Sequence, residues 1–144
     1  MTGDLRPLQP ADAAQVAALA DELDYPGVTP ALVTARLATI AGSGDHAAWV
    51  HDRGGRLLGL IHAQHMHRII SPSYAEILHL VVSAQARRTG VGRALVDRVV
   101  EWARERGVDR VRVRSNVVRD AAHPFYLSLG FERHKTQHVY LFHL

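Results

Sequence analysis

Between Gln85 and Leu95 the chain reads QARRTGVGRAL, set directly between the strand-formers ILHLVV and a long amphipathic segment. Gly90 and Gly92 leave main-chain N–H groups uncovered at a helix start, where unpaired donors and the macrodipole favour an anion. The stretch reads as a phosphate cradle. Two common cradles are excluded by their own chemistry. A P-loop needs Lys followed by Ser or Thr after its second glycine, and the one lysine of the chain is Lys135. The dinucleotide fingerprint needs a small residue three positions after Gly92, where Leu95 stands, and an acidic residue ending the next strand, where Ser115 and Asn116 stand. A second constellation, His65-x-His67, puts two imidazoles on one strand face, with His79 able to approach from a neighbouring strand. With 10 histidines in the chain such pairs arise by chance, and no metal is expected.

These residues must be positioned by the elements around them. A chain of 144 residues can bury a core without staples and is short for two ordinary domains, so residues 1–144 are expected to form one domain. A strand over Asp4–Leu8 precedes a helix starting at Asp12, with Val16, Leu19, Ala20 and Leu23 at helical spacing. Thr29 and Pro30 open a second helix carrying Leu32, Val33, Leu37 and Ile40. HAAWVH and RLLGLIHAQHMH flank the turn DRGG as an antiparallel hairpin, and YAEILHLVV is the strand ahead of the cradle. From Gly92 to Arg106 a wide apolar face runs through Leu95, Val96, Val99, Val100 and Trp102, ending before Gly107. DRVRVRS is a further strand, DAAHPFYLSLG a short helix, and HVYLFHL a closing strand. The class is α/β, an α+β mixed sheet with helices on both faces, in the order β-α-α-β-β-β-α-β-α-β.

Composition removes several functions. Cysteine is absent, which excludes disulfides, thiolate metal sites and a cysteine nucleophile. No G-x-S-x-G elbow supports serine hydrolysis. The net charge of +3 is carried almost wholly by arginine, which suits an anionic partner. Arg110, Arg112 and Arg114 read either as a solvated face or as the subunit contact of a homodimer; aromatics interleaved for base stacking are missing, so no nucleic acid is expected. The N-terminus has no basic segment followed by an apolar one, and no apolar run approaches the ~20 residues of a membrane span, so a cytoplasmic protein without membrane contact is expected.

Arg87-x-x-Gly90-x-Gly92, after a strand and opening a helix, resembles the Q/R-x-x-G-x-G/A acetyl-CoA signature of the GNAT (GCN5-related) N-acetyltransferase superfamily. RSNVVRDAAHPFYLSLGF resembles the family's later motif, and the two together span Glu76 to Phe131. The pattern is most similar to small bacterial members related to aminoglycoside 6'-N-acetyltransferases, through Ser115, Asn116, Arg119, Ala122, His123, Phe125, Tyr126, Gly130 and Phe131. One departure is Arg88, where many relatives carry a further glycine.

The resemblance implies the GNAT acyltransferase fold, with acetyl-CoA as acetyl donor and no metal. It implies that the loop Arg87, Arg88, Thr89, Gly90, Val91, Gly92, Arg93 and Ala94 holds the pyrophosphate, with main-chain N–H groups from about Arg88 onward. Leu80, Val81 and Val82 would pair with pantetheine like an added strand, with Asn116 and His123 beside the cofactor. Tyr126 falls at the general-acid position. For the base, Glu76 and His79 are candidates; three apart on a strand, they are expected on opposite faces. Glu76 is the choice, since its place before the strand centre suits an acceptor cleft, with Tyr25 and His65 beside it. His79 is the alternative, as a histidine near neutral pKa suits proton abstraction. The implied function is acetyl transfer from acetyl-CoA to a primary amine of a small molecule by direct attack, since no cysteine is present as covalent carrier. The alternatives are a non-catalytic acyl-CoA sensor and a protein or peptide amine acetyltransferase.

Overall fold

The computed structural model describes residues 4–23, 25–115, 117 and 121–144. The chain divides into two compact units, Met1–Val113 and Arg114–Leu144.

In the first unit five strands form one sheet in the order β1-β2-β3-β4-β5: Asp4–Pro7, His46–Arg53, Arg56–Met66, Tyr74–Val82 and Val111–Val113. The first four pair antiparallel in sequence order, as short connections favour, and β5 lies parallel to β4 after the crossover through helix α3, Val91–Glu105. The β2–β3 hairpin turns at Gly54 and Gly55, whose φ values of 58° and 90° are open to glycine at no steric cost.

Helices α1, Ala13–Glu22, and α2, Pro30–Ile40, cover one face. Thr29 caps α2 by accepting the Leu32 N–H at 3.2 Å, with Pro30 at the first helical position. Asp12 does not cap α1 as its position suggests. Its carboxylate turns back to accept Gln9 N–H at 2.8 Å and both Arg6 Nη groups at 2.8 Å, fixing α1 to β1. Val16, Ala17 and Val33 pack with Val50 and Leu57 under these helices. On the other face α3 buries Val91, Leu95, Val96, Val99 and Trp102. Its approach is set by Gly59, where a Cβ would lie 3.0 Å from Leu95 Cδ1 and Val91 Cγ1 and 3.1 Å from the Val81 carbonyl oxygen.

The second unit contains helix α4, Ala122–Ser128. Tyr126 there makes edge contacts with Phe125 and Phe131, at centroid distances of 5.1 and 5.6 Å. The mixed-sheet class holds, with one correction: HVYLFHL forms no strand. Residues 132–144 have no ladder partner among the described residues, and Val139, Tyr140, Leu141, Phe142 and Leu144 are exposed. β-forming side chains make a strand only where a neighbouring edge supplies hydrogen bonds. No helix of the described residues is long and apolar enough to cross a membrane.

Candidate active site

The cradle is built by three local devices. After β4 a 3₁₀ turn, Ala84–Ala86, is clamped by Glu22 of α1, whose Oε1 accepts Ala84 N–H at 2.9 Å and the Ser83 hydroxyl at 3.2 Å. The Thr89 hydroxyl donates to the Ala86 carbonyl. Arg88 and Gly90 then take left-handed φ values of 63° and 89°, and Gly90 starts α3. Arg88 is the one described non-glycine residue with positive φ, a conformation that costs about 1 kcal/mol or more. It stands at the unspecified position after Arg87 in the R-x-x-G-x-G pattern. Gly92 lies inside the first turn of α3 without a left-handed φ, so its value to an anion is the uncovered backbone rather than conformational freedom. The first-turn N–H groups have no acceptor within the helix, and Arg87, Arg88 and Arg93 around them are exposed.

Directly ahead of this loop β4 loses a neighbour. β5 pairs with it only at Ala75, Glu76 and Ile77. From His79 to Val82, β4 pairs with β3 on one side and with no strand on the other among the described residues. The main chain of Leu80, Val81 and Val82 is therefore an open ladder edge, the geometry an extended amide-bearing ligand completes.

The two candidate bases share a face, contrary to the three-residue spacing. In the β3–β4 register Glu76 faces Gln64 and His79 faces His62, while Leu78 has no partner. This bulge inserts one residue, and since His62 and Gln64 are two apart on β3, their partners project alike. Their surroundings differ. Glu76 is 3 % exposed, whereas His79 is exposed and lines a cavity of about 400 Å³ between α1, α2 and the sheet. Tyr25 stands edge-on to His79, ring centroids 5.8 Å apart.

Sequence reasoning missed His62, Arg36 and His46. His62 and Arg36 also line this cavity. His62 lies 2.9 Å from His46, Nε2 to Nδ1, and burial, with His46 and His79 nearby, pushes its pKa down to about 4. The His46–His62 pair is 16 residues apart and meets only through the β2–β3 register, so no sequence spacing announces it.

His65 does not join Glu76 and Tyr25. It pairs with Ala75, one strand position from Glu76's partner Gln64, and so lies on the α3 face. There Arg106 donates to His65 Nδ1 at 3.0 Å and to Asp45 Oδ1 at 2.7 Å, and His67 Nε2 lies 2.9 Å from the same oxygen. Asp45, His65 and His67 have ligand atoms within 4.8 Å of one another, so the third member of that group is Asp45 and not His79. Of the strand arginines, Arg110 is paired with Asp109 at 2.8 Å and Arg112 stacks over Tyr74 at 5.2 Å. In the second unit His123 and Tyr126 lie on α4, both half-buried. Asn116 and Arg119 lie outside the described residues.

Comparison with known proteins gives one family: the acetyltransferase (GNAT) family pattern matches residues 15–131. N-acetyltransferase family 8 member 3 of Mus musculus is 30 % identical over 96 residues, 66 % of this chain and 42 % of that protein. The chain thus spans less than half the length of that curated relative. Among solved structures, AAC(6')-Iy in complex with a bisubstrate analogue, CoA-S-monomethyl-acetylneamine, superposes with a TM-score of 0.87 at 18 % identity, covering 100 % of both chains. Glucosamine-6-phosphate N-acetyltransferase from Arabidopsis thaliana gives 0.86 at 20 % identity, over 99 % of this chain and 100 % of that one. At these identities the structures show a common fold.

Proposed function

The chain belongs to the acetyltransferase (GNAT) family, and from that membership we propose that it transfers the acetyl group of acetyl-CoA to a primary amine of a small molecule, by direct attack in a ternary complex. The observation that carries this reading is the opening of β4 after Ile77, immediately ahead of a helix started by a left-handed glycine. The residues fit the donor. The open edge at Leu80, Val81 and Val82 offers main-chain groups to the pantetheine amides, and the loop from Arg87 to Arg93 offers N–H groups and guanidinium charge to a pyrophosphate, the Ala94 N–H being held by the Gly90 carbonyl at 3.0 Å. The family match spans the boundary between the two units, which supports one functional domain over residues 1–144 and a role for α4.

Bound there, acetyl-CoA supplies an activated acetyl carbon and a thiolate leaving group. The chain must manage protons and water. The apolar cavity wall disfavours an ammonium ion and so favours the neutral, nucleophilic amine. An imidazole nitrogen of His79, on that wall, accepts the proton the amine gives up, with the carboxyl of Glu76 behind it on the same face. For the proton the departing sulfur requires, the family pattern implies the phenol of Tyr126, and it implies Asn116 and His123 as cofactor-binding residues.

Release of free thiol across an amine panel, with both substrates varied, tests the reading. Intersecting initial-velocity lines are the expected result. Parallel lines would contradict direct attack. Tight acetyl-CoA binding with no thiol release on any amine would replace the enzyme with an acyl-CoA sensor.

A further inference from the structure

The wall of the acceptor cavity is almost entirely carbon. α1 and α2 contribute Val16, Val33 and Leu37, and the sheet contributes Leu60 and Val81. No carboxylate of the described residues lines it. Its polar members are few, and His62, the most perturbed of them, is uncharged at neutral pH. Among the described lining residues the permanently charged group is the guanidinium of Arg36, exposed on α2 and in no ion pair among the described residues.

Resting on the acetyl-transfer reading above, we propose that the acceptor is a primary amine on an apolar body that also carries a carboxylate, and that polycationic amines are not its substrates. A polycation entering this cavity would leave its ammonium groups without an anionic partner, and an unpaired charge taken out of water costs several kcal/mol. An apolar body gains from the same wall by the area it removes from water. Arg36 presents a planar fork suited to a carboxylate. Because Arg36 belongs to the helix wall and His79 to the strand wall beside the open edge, carboxylate and amine are read from different walls, with the apolar body between them. The fold neighbour solved with an acetylneamine analogue therefore shares the scaffold without sharing the acceptor chemistry.

The experiment compares matched acceptors: 4-(aminomethyl)benzoate with benzylamine, 8-aminooctanoate with octylamine, and neamine as the polycation. The better carboxylate-bearing amine should exceed neamine in kcat/KM by at least about a hundredfold, the scale of an unpaired buried charge. Arg36→Gln should reduce the preference for a carboxylate acceptor over its decarboxylated partner about fivefold, the scale of a partly exposed ion pair, and Arg36→Lys should restore part of it. Binding of the same compounds to the acetyl-CoA-loaded protein is measured in parallel by calorimetry. Neamine as the fastest acceptor, or a carboxylate preference unmoved by Arg36→Gln, would overturn the proposal and leave acetyl transfer standing. Carboxylate-bearing amines that bind, and bind less well to Arg36→Gln, without thiol release from any compound would overturn acetyl transfer and leave the ligand class standing.

Discussion

In the proposed mechanism Tyr126 and His79 divide the proton transfers that amide formation requires, and the phenol can be deleted while its ring is kept. Tyr126→Phe keeps the ring and its edge contacts with Phe125 and Phe131 while deleting the hydroxyl. If the phenol is the general acid, kcat falls about 10²-fold with acetyl-CoA affinity nearly unchanged. If Tyr126 only packs, kcat stays and stability shifts by about 1 kcal/mol, the worth of a hydrogen bond. Turnover, acetyl-CoA affinity and Tm measured together separate the outcomes, and undiminished turnover in a folded variant removes the assignment. The same scale explains why a carboxyl and an imidazole three residues apart lie on one face. Leu78 is extra in the ladder, so Glu76 and His79 regain a common side, one buried and one lining the cavity.

At the scale of elements, the site is a consequence of where α3 touches the sheet. Gly59 lets Val91 and Leu95 reach β3, and Val91 is the first residue of the helix whose N-terminal N–H groups are the proposed cradle. Gly59→Ala brings a Cβ to 3.0 Å from both side chains and 3.1 Å from the Val81 carbonyl. The side chains can turn aside, but the carbonyl belongs to β4 beside its open edge and can move only with the strand. The expected cost is about 1–3 kcal/mol of stability, with weaker acetyl-CoA binding in the fraction that remains folded, because both the helix start and the pantetheine edge are displaced. Urea unfolding and calorimetry check this, and an unchanged affinity would mean the cradle does not depend on that contact.

For the whole molecule, pH is the simplest probe of what folding holds. His62 is kept neutral, with a pKa of about 4, while in the unfolded chain it titrates near 6.5. Above about pH 6.5 both states are neutral and it contributes nothing; as pH falls toward 4 the unfolded state takes up a proton the folded state refuses, so stability drops. Allowing for partial solvent contact, the loss is on the order of 2 kcal/mol. The hydrogen bond from Arg6 lowers the Asp12 pKa, so that carboxylate's contribution is lost still lower, as pH falls below the ordinary range. Denaturant unfolding at pH 7 and 4.5 measures the His62 component; His62→Gln should flatten the slope between them, and an unaltered slope would assign it elsewhere. Local order in the chain determined much of this protein: Thr29 and Pro30 start a helix, Gly54 and Gly55 turn a hairpin, and R-x-x-G-x-G after a strand marks an anion loop and its family, because caps, turns and cradles are made by neighbours in sequence. Three features were decided only by tertiary structure. The β3–β4 register leaves Leu78 without a partner, HVYLFHL makes no ladder among the described residues, and Arg36, His62 and His79 line one cavity because α2, β3 and β4 are brought together. Register, edges and cavities are relations between segments distant along the chain, and hydrophobic periodicity specifies which face a residue turns inward without specifying what it will meet there.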